Sequence, residues 1–159
     1  MEKFSLPQNI FFNTTVLNNA LSSNSLIQEI DRGLEKSVLS DTLFEMFFAI
    51  RRFAIPDSEI SFQAAKEGNM FYLLAKFFIQ KKDLLSLDVE IDKANSLKGQ
   101  SKRDIYAQSV KDMKKTHSLD GFNMVMAYAQ SDILYNTQDD DNGRVAVEVF
   151  MKIPENKYA

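Results

Sequence analysis

Side chains able to do chemistry are few in this chain, and they are scattered. There is no cysteine and one histidine, His117. Disulfides, thiolate nucleophiles, iron–sulfur clusters and zinc sites built on cysteines or on several histidines are therefore excluded. His117 follows Lys114-Lys115-Thr116, and Asp120 is the only carboxylate near it in sequence. A general base needs a positioned partner, so a histidine closing a helix and favoured by its dipole is the simpler account. Glu45 and Glu67 stand alone on their segments. The run Asp139-Asp140-Asp141-Asn142-Gly143 invites a calcium loop with Gly143 at its sixth position. That register makes Gln138 the first ligand and Val149 the last, where an acid and a bidentate glutamate are required. An acidic turn fits better. There is no phosphate-cradling glycine loop, no His-Glu-x-x-His and no Gly-x-Ser-x-Gly. No catalytic, cofactor-binding or metal-ligating residue is assigned, and no cofactor is expected.

Charge and apolar groups make a better case for binding. Lys98, Lys102, Arg103, Lys111, Lys114 and Lys115 form a basic run, in which Lys111, Lys114 and Lys115 share one helix face. Asp104 and Asp112 dilute its field, no aromatic residues are interleaved for base stacking, and the net charge is −3. Nucleic acid is not the expected partner. Phe44, Phe47, Phe48, Phe71, Phe77 and Phe78 read as core, or as a partner-binding groove if part of the set is exposed.

These residues must be positioned by elements. The length of 159 residues and 45% hydrophobic content suit one folded domain with a real core. No apolar run approaches the roughly 20 residues that span a bilayer, and residues 1–13 read as a leader without a signal-peptide core. A soluble, cytoplasmic protein is expected, or one delivered to a host cytoplasm. Three prolines and five glycines leave room for long helices. Thr14–Ser22 reads as a short helix, and Ser25 with Gln28 forms a capping box for a helix to Val38. Leu43, Met46, Phe47, Ile50 and Phe53 form the stripe of a buried helix ended by Pro56. A short helix from Asp57 or Ser58 to Gly68 and another over Met70–Lys82 follow. Residues 83–100 lose helical spacing and predict an extended loop or short strand. Helices are expected again at 101–115, with Ile105, Tyr106, Val110 and Met113 inward, and from Ser118 through Leu134. Gln138–Gly143 is a turn, and Arg144–Ile153 fits either a helix or a strand. The predicted fold is all-α.

The segment Glu59-Ile-Ser-Phe-Gln-Ala-Ala-Lys-Glu-Gly-Asn69 resembles the first helix of an ankyrin repeat, with Ala64 and Ala65 for close approach and Gly68 for the turn. Gly99-Gln100-Ser101-Lys102-Arg103-Asp104-Ile105-Tyr106-Ala107 is similar to the start of a second, divergent repeat. The resemblance covers about 50 residues, with Ala65 and Ala107 42 positions apart. It implies antiparallel helical hairpins, stacked as a short ankyrin-like array or an irregular bundle, that bind another protein through the loop Asp83–Gly99 and the first-helix face. The expected contact residues are Asp83, Leu84, Leu85, Leu87 and Val89, with Lys111, Lys114 and Lys115 beside them. The expected function is a non-catalytic protein–protein interaction module, such as a bacterial or phage effector or a domain of one. An enzyme with a dispersed site, or a nucleic-acid-binding domain using the basic face at 98–115, are the alternatives.

Overall fold

A computed structural model describes residues 2–6, 38–67, 70–116, 121–140 and 142–154. The fold is α/β, not all-α. Five strands form one antiparallel sheet: β1 (Glu2–Leu6), β2 (Ile60–Glu67), β3 (Met70–Gln80), β4 (Leu134–Asp139) and β5 (Arg144–Pro154), in the order β1-β2-β3-β5-β4. Among the described residues four helices complete it: α1 (Val38–Phe53), α2 (Leu84–Ser96), α3 (Lys102–Thr116) and α4 (Gly121–Ala129). A 3-10 turn, Lys81–Asp83, leads from β3 into α2.

The expected helix at 57–68 is β2, and the expected helix over 70–82 is β3. The reason is visible in the burial of β3. Phe71, Leu73, Ala75, Phe77 and Ile79 are buried, while Tyr72, Leu74 and Phe78 between them are half-buried. That is the period of two of a strand with apolar residues on both faces. The same run satisfies helical spacing at Met70, Leu73, Leu74, Phe77 and Phe78, so spacing alone does not separate the two. Pairing does, since β3 lies against β2 from Ser61↔Lys76 to Glu67↔Met70 and against β5 from Met70↔Pro154 to Gln80↔Arg144.

The ankyrin-like array is overturned with it. Ala64 and Ala65 are not neighbours on a helix. Ala64 is buried beneath the sheet and Ala65 points to the other side. The second supposed repeat is the Leu97–Gln100 turn followed by α3, whose Asp104 N–H donates to the Ser101 hydroxyl at 3.1 Å. The expected loop at 83–100 is helical through Ser96, because Leu87, Ile91 and Ala94 recur at helical spacing and are buried. The supposed leader contributes β1. The expected helix at 14–22, that at 25–38 except for Val38, which begins α1, and His117 lie outside the described residues.

The described helices cover one side of the sheet. Leu43, Met46, Phe47 and Ile50 of α1 meet the inward residues of β2, β3 and β5 in a single core. Helix α4 is the innermost: Phe122, Val125, Met126, Ala127 and Ala129 are all buried. It crosses α1 so closely that a Cβ on Gly121 would lie 2.7 Å from the Ala49 Cβ. Helices α2 and α3 pack on α4. The end of the 118–134 helix expected from sequence is also corrected, since Ile133 and Leu134 lie beyond α4 at the entry to β4.

Candidate interaction surface

The far side of the sheet is the feature most suited to a function. Alternation puts Tyr72, Leu74, Lys76 and Phe78 of β3 on it, beside Lys152, Phe150, Glu148 and Ala146 of β5 in that register. Leu134 and Asn136 of β4 follow, opposite Phe150 and Glu148. None of these side chains belongs to the buried core. Tyr72, Leu74, Phe78 and Phe150 are half-buried, and Leu134 is 54% exposed. Among the described residues no helix packs on this side. The Tyr72 and Phe150 rings lie 6.0 Å apart. Leu74, Phe150, Leu134, Asn136 and Glu148 line a depression of about 370 Å³. A second, of about 460 Å³, shares Leu134 and continues to Met70 and Lys152.

Cations frame these apolar groups. The Arg144 guanidinium stands 4.1 Å from the Phe78 ring centroid and Lys152 Nζ 5.9 Å from that of Tyr72, both in reach of the negative ring face. Lys76 Nζ lies 3.7 Å from Glu148 Oε1. Lys152 has no carboxylate partner among the described residues. Lys76 and Arg144 are each paired with a carboxylate, Glu148 and Asp140, so the face is chiefly aromatic, and Tyr, Phe and Arg are enriched in interface cores.

The strands presenting this face are anchored from the helical side. Asn95, near the end of α2, holds the Ile133 backbone at both ends: its Nδ2 donates to the Ile133 carbonyl at 2.9 Å, and the Ile133 N–H donates to its Oδ1 at 2.8 Å. Gln130 follows α4 with a left-handed φ of 49°. Its Oε1 accepts from Gly99 N–H and its Nε2 donates to the Gln100 carbonyl, each at 2.9 Å. Lys98 pairs with Asp132 at 2.9 Å, and the Ser131 hydroxyl donates to the Lys152 carbonyl.

The contact residues expected from sequence are only partly brought together. Asp83 sits in the 3-10 turn, and Leu84 packs against the core. Leu87 is fully buried and cannot contact a partner. Leu85 and Val89 are 73% and 59% exposed, one turn apart on the outside of α2. Beside them Arg52 of α1 binds Glu90 at 2.7 Å. Lys111 is exposed on α3, a different helix, which also carries Lys114 and Lys115. Tyr106, expected inward, is 59% exposed. The sheet face was hidden because Phe78 and Leu74 read as a helix stripe. Its signal is the alternation of Tyr72, Leu74 and Phe78 with a second, more apolar series.

Among the described residues the other candidate chemistry does not assemble. The acidic run is the β4–β5 turn, where Asp140 N–H donates to the Arg144 carbonyl and Asp140 Oδ2 binds Arg144 Nε at 2.5 Å. Among the described residues no three carboxylate or imidazole groups are placed to hold a metal ion. Glu45 has its pKa raised, first by burial and then by Asp41. No helix among the described residues is long and apolar enough to cross a membrane.

No protein-family model and no curated protein matches the chain. Among solved structures, it is similar to a chain in the crystal structure of the SiaB-SiaC complex from Pseudomonas aeruginosa. The TM-score is 0.59 at 14% identity, over 96% of this chain and 90% of that one. The likeness establishes a shared α/β fold, which an ankyrin array does not have.

Proposed function

We propose that this chain is a non-catalytic protein-binding module that docks its partner on the sheet face that no described helix covers. The observation that carries this is the group Tyr72, Leu74, Phe78 and Phe150, held half-exposed on rigid central strands rather than in the core. Rigid aromatic anchors with a charged rim are what hot spots are made of. The partner that fits has an apolar contact surface with a carboxylate placed to meet Lys152. The solved chain that shares this fold lies in a complex of two proteins, which supports the reading by analogy only.

A second reading places the contact on the outer ridge of α2, supported by the exposure of Leu85 and Val89. Tagged protein expressed in cells of the source organism separates the two. Leu74→Glu with Phe150→Glu is expected to abolish recovery of a co-purifying protein while circular dichroism stays unchanged. Leu85→Glu with Val89→Glu is expected to leave recovery intact. The opposite pattern moves the site to α2, and equal recovery from all three proteins defeats both readings.

A further inference from the structure

The turn between β4 and β5 carries a chemistry that needs neither metal nor partner. Asn142 and Gly143 are the one Asn-Gly pair in the chain. Gly143 has a φ of 75°, the left-handed conformation that glycine adopts without steric cost. A Cβ built on it would meet nothing within 4 Å, so the turn stands clear on that side. Asn142 is exposed, and among the described residues no hydrogen bond holds its carboxamide. The Gly143 N–H donates to the Asp140 carbonyl at 3.3 Å, beyond the usual range for such a bond. The carboxamide carbon and the amide nitrogen that follows it are thus both lightly held. The other described asparagines each lack one of these conditions. Asn95 has its amide committed at both ends to Ile133. Asn123 is buried. Asn136 is exposed but lies within β4, before the β-branched Thr137.

We propose that Asn142 is a site of spontaneous deamidation, with solvent water as the co-reactant. Asparagine is chemically labile, and here the following residue supplies the nucleophile. Hydroxide takes the Gly143 amide proton, and the nitrogen attacks Asn142 Cγ. The C–N bond formed closes a succinimide ring, and the side-chain nitrogen leaves as ammonia. Water then opens the ring. Attack at Cγ breaks the new bond and leaves aspartate at 142. Attack at the main-chain carbonyl breaks the original peptide bond, and the chain runs on through Cγ as isoaspartate. Either product puts a new carboxylate two positions before Arg144, whose guanidinium binds Asp140 and stands 4.1 Å from the Phe78 ring centroid. The isoaspartyl form also adds a methylene to the backbone of the turn. Deamidation therefore changes charge and geometry at the margin of the far sheet face.

The test follows each asparagine of the folded full chain by peptide mass spectrometry during incubation at neutral and at mildly alkaline pH. Asn142 is expected to convert ahead of Asn136, Asn95 and Asn123, and faster at the higher pH, because the first step removes a proton. Isoaspartate is measured separately, as methyl groups accepted from S-adenosylmethionine in the presence of a protein isoaspartyl methyltransferase. Asn142→Gln, whose longer side chain must close a larger ring, is expected to lose most of that signal. Asn142 converting no sooner than Asn136, or a methyl-acceptor signal unchanged in Asn142→Gln, overturns the inference. Neither outcome touches the partner reading, whose residues Leu74 and Phe150 are unchanged here.

Discussion

Glu45 shows how one side chain can set a pH dependence without taking part in binding. It lies on α1 one turn after Asp41, and burial followed by the Asp41 charge raises its pKa above the ordinary 4.5. A carboxyl whose folded pKa is raised binds its proton more tightly in the native state. The cost of charging it is absent below about pH 4.5 and appears as pH rises through the raised folded value. Glu45→Gln is therefore expected to raise the melting temperature at neutral pH and to have little effect at pH 4.5. Thermal unfolding followed by circular dichroism at both pH values checks this. An equal change at the two would remove titration from the account. Asn95 works on the same scale by different means. Two hydrogen bonds from one amide satisfy a buried backbone at Ile133 and so fix where β4 begins.

Between elements, the tightest constraint is the α1–α4 crossing. A methyl group at Gly121 would sit 2.7 Å from Ala49 Cβ and 2.8 Å from its Cα, distances that force the helices apart. Gly121→Ala is expected to cost about 1–3 kcal/mol, measured by urea unfolding. Adding Ala49→Gly should recover only part of it, because the Ala49 backbone remains in the way. Full recovery would mean that the methyl pair alone sets the spacing. The elements legible in the sequence were those whose pattern has one period. Helix α1 shows Leu43, Met46, Phe47 and Ile50 on one face, and α4 shows Phe122, Val125, Met126 and Ala129. Over Arg144–Ile153 the sequence does not decide between helix and strand; in the fold it is β5, whose Val145, Val147, Val149, Met151 and Ile153 alternate and are all buried. Strand β3 was not legible, since a strand apolar on both faces contains a helical stripe by accident. Helix α2 failed in the opposite sense. Leu85 and Val89 are apolar but exposed, and they break the inward series Leu87, Ile91, Ala94 into an apparent alternation. In each case a non-local contact decides: the β5 ladder for β3, and packing on α4 for α2.

At the scale of the whole molecule, the described residues form a sheet with helices on one side and an aromatic surface on the other. That asymmetry could not be read in advance, because it depends on which strands lie side by side. Leu74 and Phe150 are 76 positions apart in the chain and directly opposed in the sheet. A polar far face would make the molecule a plain two-layer fold. Tyr72, Leu74, Phe78 and Phe150 stand half-exposed there instead, and the proposed docking of a partner on this face rests on them. The measurement that bears most directly on this claim is site-specific photo-cross-linking in cells of the source organism, with a photoreactive side chain placed at Phe150 in one experiment and at Val89 in another. The account predicts a discrete protein adduct from position 150 and none from position 89. An adduct from position 89 alone, or none from either, would contradict it.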